Sequence, residues 1–232
     1  HCWDTQTPIE ETMRGLDDLV RAGKVRHIGF SDTPAWKCAQ ASVTASFRGW
    51  APLIALQVEY SLLERSVEGE LLPMAQDLGL GVTPWSPLKS GALSGRYTRA
   101  NRGQVDAKRG TWVLSALTER AYAVIDLLIK TAEEAAASPA QVALSWVQNR
   151  PGVASSIIGA RTAAQLVDNL KGLELKLTPE QTAALDAASE PTLNFPHDFV
   201  RAAGSFRSAG TTINGVANPT NPLNPKTEAE VY

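Results

Sequence analysis

Strand-length apolar runs separated by helical stretches constrain this chain more than any other feature. Strand-length runs stand at 25–30, 54–60, 80–85 and 153–158, and the first of them shows little alternation of apolar and polar residues, the pattern of a strand covered on both faces. Helical spacing occupies the intervals, at about 8–22, 34–46, 67–78, 118–137, 139–149, 162–171 and 178–188. Strands alternating with helices mean repeated βα units and a parallel sheet. The 232 residues suffice for one large domain, since α/β barrels run to about 250 residues.

Local signals sharpen these boundaries. Thr7 is placed to cap the first helix, with Pro8 in its first turn and Glu10 three residues after the cap. Ile9, Met13, Leu16, Leu19 and Val20 fall near one face, and Gly23 ends the helix. Thr178-Pro179-Glu180-Gln181 reads as a capping box. A polar stretch of about 30 residues from Lys89 to Thr118, with Gly91, Gly95, Gly103 and Gly110, is too long for a plain connector. Beyond about 203, Gly, Ser, Asn, Thr and Pro dominate, and Asn-Pro recurs at 218–219, 221–222 and 224–225. The expected organisation is one domain over 1–200 and a weakly ordered tail over 201–232. At the other end, His1-Cys2-Trp3-Asp4 reads as the stump of a strand just ended, a fifth strand, so the expectation is that part of a larger fold precedes it.

Composition narrows the partners. Hydrophobic residues make up 44% and charged residues 20%, ordinary for globular material. The net charge of -2 and the lack of a basic run argue against nucleic acid and anionic membrane surfaces. No apolar run approaches the ~18 residues of a membrane span, and nothing resembles a signal peptide. Two cysteines, Cys2 and Cys38, fit a reducing cytoplasm better than a disulfide scaffold.

Ligands of parallel α/β folds bind at the carboxyl ends of the strands. Those ends carry His1, Ser31-Asp32, Gln57 to Tyr60, Trp85-Ser86 and Gly159 to Arg161. His1 is either an acid/base or hydrogen-bond donor to a carbonyl oxygen, or an idle terminal residue. Cys2 has no neighbouring base to make it a nucleophile. His27 and His197 have no metal-ligand spacing with each other or with a cysteine, so no metal site is expected. Trp85-Ser86-Pro87-Leu88 offers a flat face for a planar ring and backbone N–H groups for a diphosphate, or else is a core tryptophan before a proline turn. Gly159-Ala160-Arg161-Thr162, with Gln165 and Asn169 beyond, places an arginine where a strand gives way to a helix N-terminus. That arrangement favours anions, and its plain alternative is a solvated arginine. There is no Gly-x-Gly-x-x-Gly run of the Rossmann type.

Taken together, these stretches resemble the C-terminal two-thirds of an aldo-keto reductase, over about residues 1–200. The collinear motifs are His1-x-x-Asp4; Gly23-Lys24-Val25-Arg26-x-Ile28-Gly29-x-Ser31; Gln57-Val58-Glu59-Tyr60-Ser61; Thr83-Pro84-Trp85-Ser86-Pro87-Leu88 with Gly91 and Gly95-Arg96-Tyr97; and Ile158-Gly159-Ala160-Arg161 with Gln165-Leu166 and Asn169. The variant is similar to the bacterial reductases and the potassium-channel β-subunit branch.

The resemblance implies a (β/α)8 TIM barrel, incomplete here and holding about strands 5–8, that binds NADP(H) in extended form and reduces aldehydes or ketones. It implies that His1 belongs to a catalytic group of Asp, Tyr, Lys and His, whose other three members lie in strands preceding His1. It implies that Ser31, Asp32 and Gln57 hold the nicotinamide carboxamide and that Trp85 stacks on the ring. Ser86, Pro87, Leu88, Lys89, Ser90 and Arg96 then line the diphosphate path. Gly159, Arg161, Gln165, Asp168 and Asn169 hold the adenosine and its 2′-phosphate. Asp32 departs from the asparagine common in the family. Without the first strands the half-barrel exposes edges and apolar interior, so self-association is a possible outcome. The isolated chain is expected to lack turnover. The alternative is a non-catalytic NADP(H)-binding or partner-binding module of the channel β-subunit type.

Overall fold

The structure, a computed structural model, describes residues 1–102, 111–203, 207–221 and 223–225. Chain contacts divide it into two compact units, His1–Pro191 and Thr192–Tyr232.

In the first unit, helices alternate with three strands. Helix α1 (Ile9–Arg21) precedes β1 (Ile28–Ser31), and α2 (Ala35–Arg48) precedes β2 (Leu53–Glu59). A 3-10 turn at Ser66–Glu68 and α3 (Leu71–Asp77) lead to β3 (Gly81–Trp85). The three strands form one parallel sheet in the order β1-β2-β3, with Ser31 opposite Gln57 and Glu59 opposite Trp85. Gly29 is required for this pairing, because a Cβ there would lie 2.7 Å from the carbonyl oxygen of Ala55.

The expected fourth strand at 153–158 is reduced to an isolated parallel bridge between Val82 and Val153. The Val82 N–H donates to the Gly152 carbonyl at 2.9 Å, and the Ala154 N–H donates to the Val82 carbonyl at 2.8 Å. The next residue of β3 facing this segment is Pro84, which has no N–H to give. Its carbonyl accepts from Ile157 instead, at 2.8 Å, and the extra residue breaks the ladder. Among the described residues the sheet is therefore three-stranded, and no closed barrel is formed.

The 89–118 stretch is not a plain loop either. It holds 3-10 turns at Lys89–Ser94 and Arg99–Asn101 and the helix α4 (Thr111–Ala116); residues 103–110, with Gly103 and Gly110, lie outside the described residues. Helices α5 (Glu119–Glu134), α6 (Pro139–Gln148), α7 (Ala163–Lys171) and α8 (Pro179–Ala188) follow. The capping box at Thr178 and Gln181 is formed, and Ser138 with Gln141 forms another on α6. The cap expected at Thr7 is not formed. The Asp4 carboxylate takes the Thr7 hydroxyl and the N–H groups of Gln6 and Thr7, so α1 starts one residue later without a side-chain cap.

Leu56, Val58 and Val82 of the sheet are buried, as are Val124, Ile125 and Leu128 of α5 and Val142 and Val147 of α6. Each such side chain contributes about 1.5–3 kcal/mol on leaving water. Beside this core runs a polar cluster. Arg65 meets Glu68 in a two-pronged contact, and Tyr60 donates to the same carboxylate at 2.7 Å. Arg150 pairs with Asp186 through both carboxylate oxygens at 3.0 Å, and the Trp146 indole donates to Asp186 at 2.9 Å. The cluster fastens the β2–α3 connection to α6 and α8.

The second unit holds α9 (His197–Ala202) and a hairpin of β4 (Thr212–Ile213) and β5 (Val216–Ala217). Asn214 and Gly215 at its tip both have positive φ, as a two-residue turn between strands demands. Residues 204–206, 222 and 226–232 of the expected tail lie outside the described residues. Among the described residues, no helix is long and apolar enough to cross a membrane.

Candidate functional site

The carboxyl ends of the three strands carry one group of candidate residues. Ser31 ends β1 and is buried, and its hydroxyl has no hydrogen-bond partner. The next residue, Asp32, turns the chain with φ +46° while its N–H donates to the Gln57 carbonyl at 3.0 Å. Thr33 donates its hydroxyl to the Ser31 carbonyl at 3.0 Å and holds this turn. The Asp32 carboxylate accepts from the Trp85 indole at 2.9 Å, and the Asp32 carbonyl accepts from the Trp3 N–H at 3.3 Å. His1 is exposed, with a ring nitrogen within 4.8 Å of an Asp32 carboxylate oxygen. The end of β3 thus reaches across β2 to the end of β1, next to the first residues of the chain.

A second group surrounds a cavity of about 850 Å³. Trp85, Ser86, Pro87, Leu88, Ser90 and Arg96 line one side of it. Gly159, Arg161, Gln165, Asp168 and Asn169 also line it. Eleven of the fifteen residues assigned to the dinucleotide by resemblance therefore share one space. Ser31, Asp32, Gln57 and Lys89 are outside its lining, as is His1. The Lys89 ammonium instead pairs with Glu59 at 2.9 Å and Glu64 at 3.5 Å.

Backbone conformation shapes the first wall. Ser86 has φ +52°, and Lys89, Ser90 and Gly91 follow with φ of +45°, +54° and +100°. The Ser86 hydroxyl accepts from the Ser90 N–H at 2.8 Å, which winds the chain tightly after β3. Gly95, at φ +80°, lets α6 approach: a Cβ there would stand 2.8 Å from the Pro139 side chain. That approach brings Ala140 to the cavity lining.

The second wall is set by hydrogen bonds at the start of α7. The Thr162 hydroxyl accepts from the Gln165 N–H at 3.2 Å, and the Gln165 side-chain oxygen accepts from the Arg161 N–H at 2.9 Å. Arg161 is left exposed at a helix N-terminus, where the first N–H groups and the dipole favour an anion. Asp168 is braced from α6, accepting from Ser138 at 3.1 Å and from the Gln141 amide at 2.7 Å.

Sequence reasoning missed Ser94, Ala140 and Ala164 as lining residues. The Ser94 hydroxyl is buried without a partner. Gly95 was the available signal for close packing beside it. Nothing in the sequence marks Ala140 or Ala164, which arrive by helix placement.

Comparison with known proteins gives a consistent picture. The profile described as "Aldo/keto reductase family" matches residues 1–190. The uncharacterized oxidoreductase YrpG of Bacillus subtilis is 39% identical over 180 residues, which is 78% of this chain and 54% of YrpG. The putative aryl-alcohol dehydrogenase AAD10 of Saccharomyces cerevisiae is 31% identical over 202 residues, 86% of this chain and 70% of that protein. The versiconal hemiacetal acetate reductase of Aspergillus parasiticus is 33% identical over 198 residues, 84% of this chain and 57% of that protein. The chain thus spans little more than half the length of two of these three relatives.

Proposed function

Because the chain belongs to the aldo/keto reductase family, we propose that it carries the NADP(H)-binding portion of a carbonyl reductase. The observation that carries this reading is a cavity of about 850 Å³ shared by the Trp85–Arg96 turn and the 159–169 segment. Its residues fit a dinucleotide phosphate. Trp85 supplies an aromatic face, Arg96 and Arg161 supply cations, and the buried Ser94 hydroxyl has no partner within the protein. The unpartnered Ser31 hydroxyl at the end of β1 suits an amide such as the nicotinamide carboxamide.

When bound, the dinucleotide supplies a hydride to an aldehyde or ketone carbon. The chain's own residues bind and orient. Arg161 pairs with the 2′-phosphate, which is the basis for NADP(H) over NAD(H). Asp168 holds α7 against α6 and so keeps Arg161 and Asn169 in place. His1 donates a hydrogen bond to the carbonyl oxygen as negative charge grows on it. No residue described here stands as the tyrosine that protonates that oxygen in the family resemblance, and Tyr60 is unsuited to the role. It is buried, and burial together with Glu68 pushes its hydroxyl well above the ordinary phenol range.

A titration of the 232-residue chain with NADPH, followed by nucleotide fluorescence and by melting temperature, tests the reading. Saturable binding with a raised melting temperature supports it. A chain that melts cooperatively and binds no NADPH overturns it. A second reading, binding without catalysis, is favoured by the position of His1 outside the cavity lining. Under that reading His1→Ala leaves NADPH affinity unchanged, and the chain reduces no aldehyde.

A further inference from the structure

Taking the cavity to hold the dinucleotide, a reading on which this inference rests, we propose that Asn101 is a positioning residue that acts on the phosphates through Arg96. Arg96 is exposed and lines the cavity. Its guanidinium lies 6.0 Å from the Tyr97 ring and, among the described residues, pairs with no carboxylate. Ordering so long a side chain on an anion costs conformational entropy, so the contact depends on a backbone already held in place.

Asn101 supplies that hold. Its side-chain amide donates to the Arg96 carbonyl at 2.8 Å, and its side-chain oxygen accepts from the Thr98 N–H at 2.8 Å. The Thr98 hydroxyl accepts from the Asn101 N–H in return, which closes a capping box around the 3-10 turn Arg99–Asn101. On the other side of Arg96, the close approach of Gly95 to Pro139 sets the chain. Arg99 then ties the turn to α5. Glu119, Tyr122 and Asp126 stand at i, i+3 and i+7 of that helix and share a face. The Arg99 guanidinium donates to the Asp126 carboxylate at 2.8 Å, to the Glu119 carboxylate at 2.6 Å and to the Glu119 carbonyl at 3.3 Å, and it lies 5.6 Å from the Tyr122 ring. One exposed ion pair contributes little, but here four contacts meet on one planar cation. Neither Arg99 nor Asn101 lines the cavity, so each reaches it only through the chain.

The test is a double-mutant cycle on the full chain, with NADPH as the probe and nucleotide fluorescence as the readout. Asn101→Ala is expected to weaken NADPH about threefold to tenfold, the size of one hydrogen bond. In an Arg96→Ala background the same change is expected to cost less than about twofold, as for a step already lost. Asn101→Ala also makes affinity less sensitive to salt, because a charged contact goes with it, whereas a merely structural loss leaves that sensitivity as it was. Arg99→Gln leaves the hydrogen bonds of the turn in place and cuts its tie to α5; it is expected to give the same pattern at a smaller loss. Melting curves establish that each variant is folded. Unchanged affinity in Asn101→Ala, an equal loss in both backgrounds, or an unchanged salt dependence overturns the proposal and leaves the dinucleotide reading standing. A wild-type chain that melts cooperatively and binds no NADPH overturns both.

Discussion

The indole N–H of Trp85 donates to the Asp32 carboxylate at 2.9 Å, joining the ends of β3 and β1 across the strand between them. Trp85 therefore does two things at once: its edge fixes Asp32 and its ring lines the cavity. The two can be separated. Trp85→Phe keeps a flat face and loses the hydrogen bond, so NADPH affinity is expected to fall about threefold to tenfold, the worth of roughly one hydrogen bond. Trp85→Ala also loses stacking and is expected to cost about 1–3 kcal/mol of binding. Isothermal titration of both variants checks the order; equal losses would assign Trp85 a purely structural role.

Arg161 stands exposed at the start of α7, on the cavity lining. Its backbone N–H is occupied by Gln165, but that bond does not use the guanidinium. Arg161→Ala is expected to weaken NADPH by about 1.5–3 kcal/mol, the range of a hydrogen bond to a charged group, and to leave NADH nearly unchanged. Parallel titrations with the two nucleotides measure the difference, and equal weakening of both removes the 2′-phosphate contact.

Glu68 is the acceptor on which Arg65 and Tyr60 converge. Arg65 is only 7% exposed, so deleting Glu68 takes away its two-pronged carboxylate and leaves this buried charge to the Asp186 carbonyl, the Ser189 hydroxyl and the Asp186 carboxylate at 3.6 Å. Glu68→Ala is expected to destabilise the chain by about 3 kcal/mol. Glu68→Gln keeps acceptors and loses charge, at about 1–2 kcal/mol. Urea unfolding at neutral pH gives both values; a cost below that of Gln for the Ala variant would show that the cluster does not hold α6 and α8 to the β2–α3 connection.

The two cysteines are expected to react very differently. Cys2 is exposed, whereas Cys38 is buried, and burial pushes its thiol from the ordinary 9.0 up to about 11. Because the folded value is raised, the neutral thiol supports the fold fully below pH 9.0, and that support is lost as pH rises toward about 11. Iodoacetamide at pH 8 is expected to modify Cys2 and spare Cys38, as read by peptide mass spectrometry. Cys38→Ala is expected to remove this part of the alkaline loss of stability.

How far a residue could be read from sequence depended on how far away its partner lay. Thr178 and Gln181 are three apart, and the capping box they announced is formed, because a helix N-terminus is closed by its own first turn. The run of βα alternation was legible for the same reason: the burial pattern of a strand is written into four to seven consecutive residues. Thr7 shows the limit of local reading, since Asp4, another near neighbour, claims it first. The motifs around Trp85 and Arg161 were visible as separate stretches.

The amino-acid sequence by itself determined the alternation of strands and helices, the family, and the chemical types standing at the strand ends. Tertiary structure decided what those ends meet. Pro84 was plain in the sequence, but that its missing N–H faces 153–158, and so reduces a strand to a bridge, follows from sheet register. The meeting of Trp85 with Asp32, of Gly95 with Pro139, and of His1 with Asp32 likewise joins residues whose separation in the chain carries no signal. Periodicity reports which face of an element leaves water, a local property; which other element covers that face is fixed only when the packed chain closes around it.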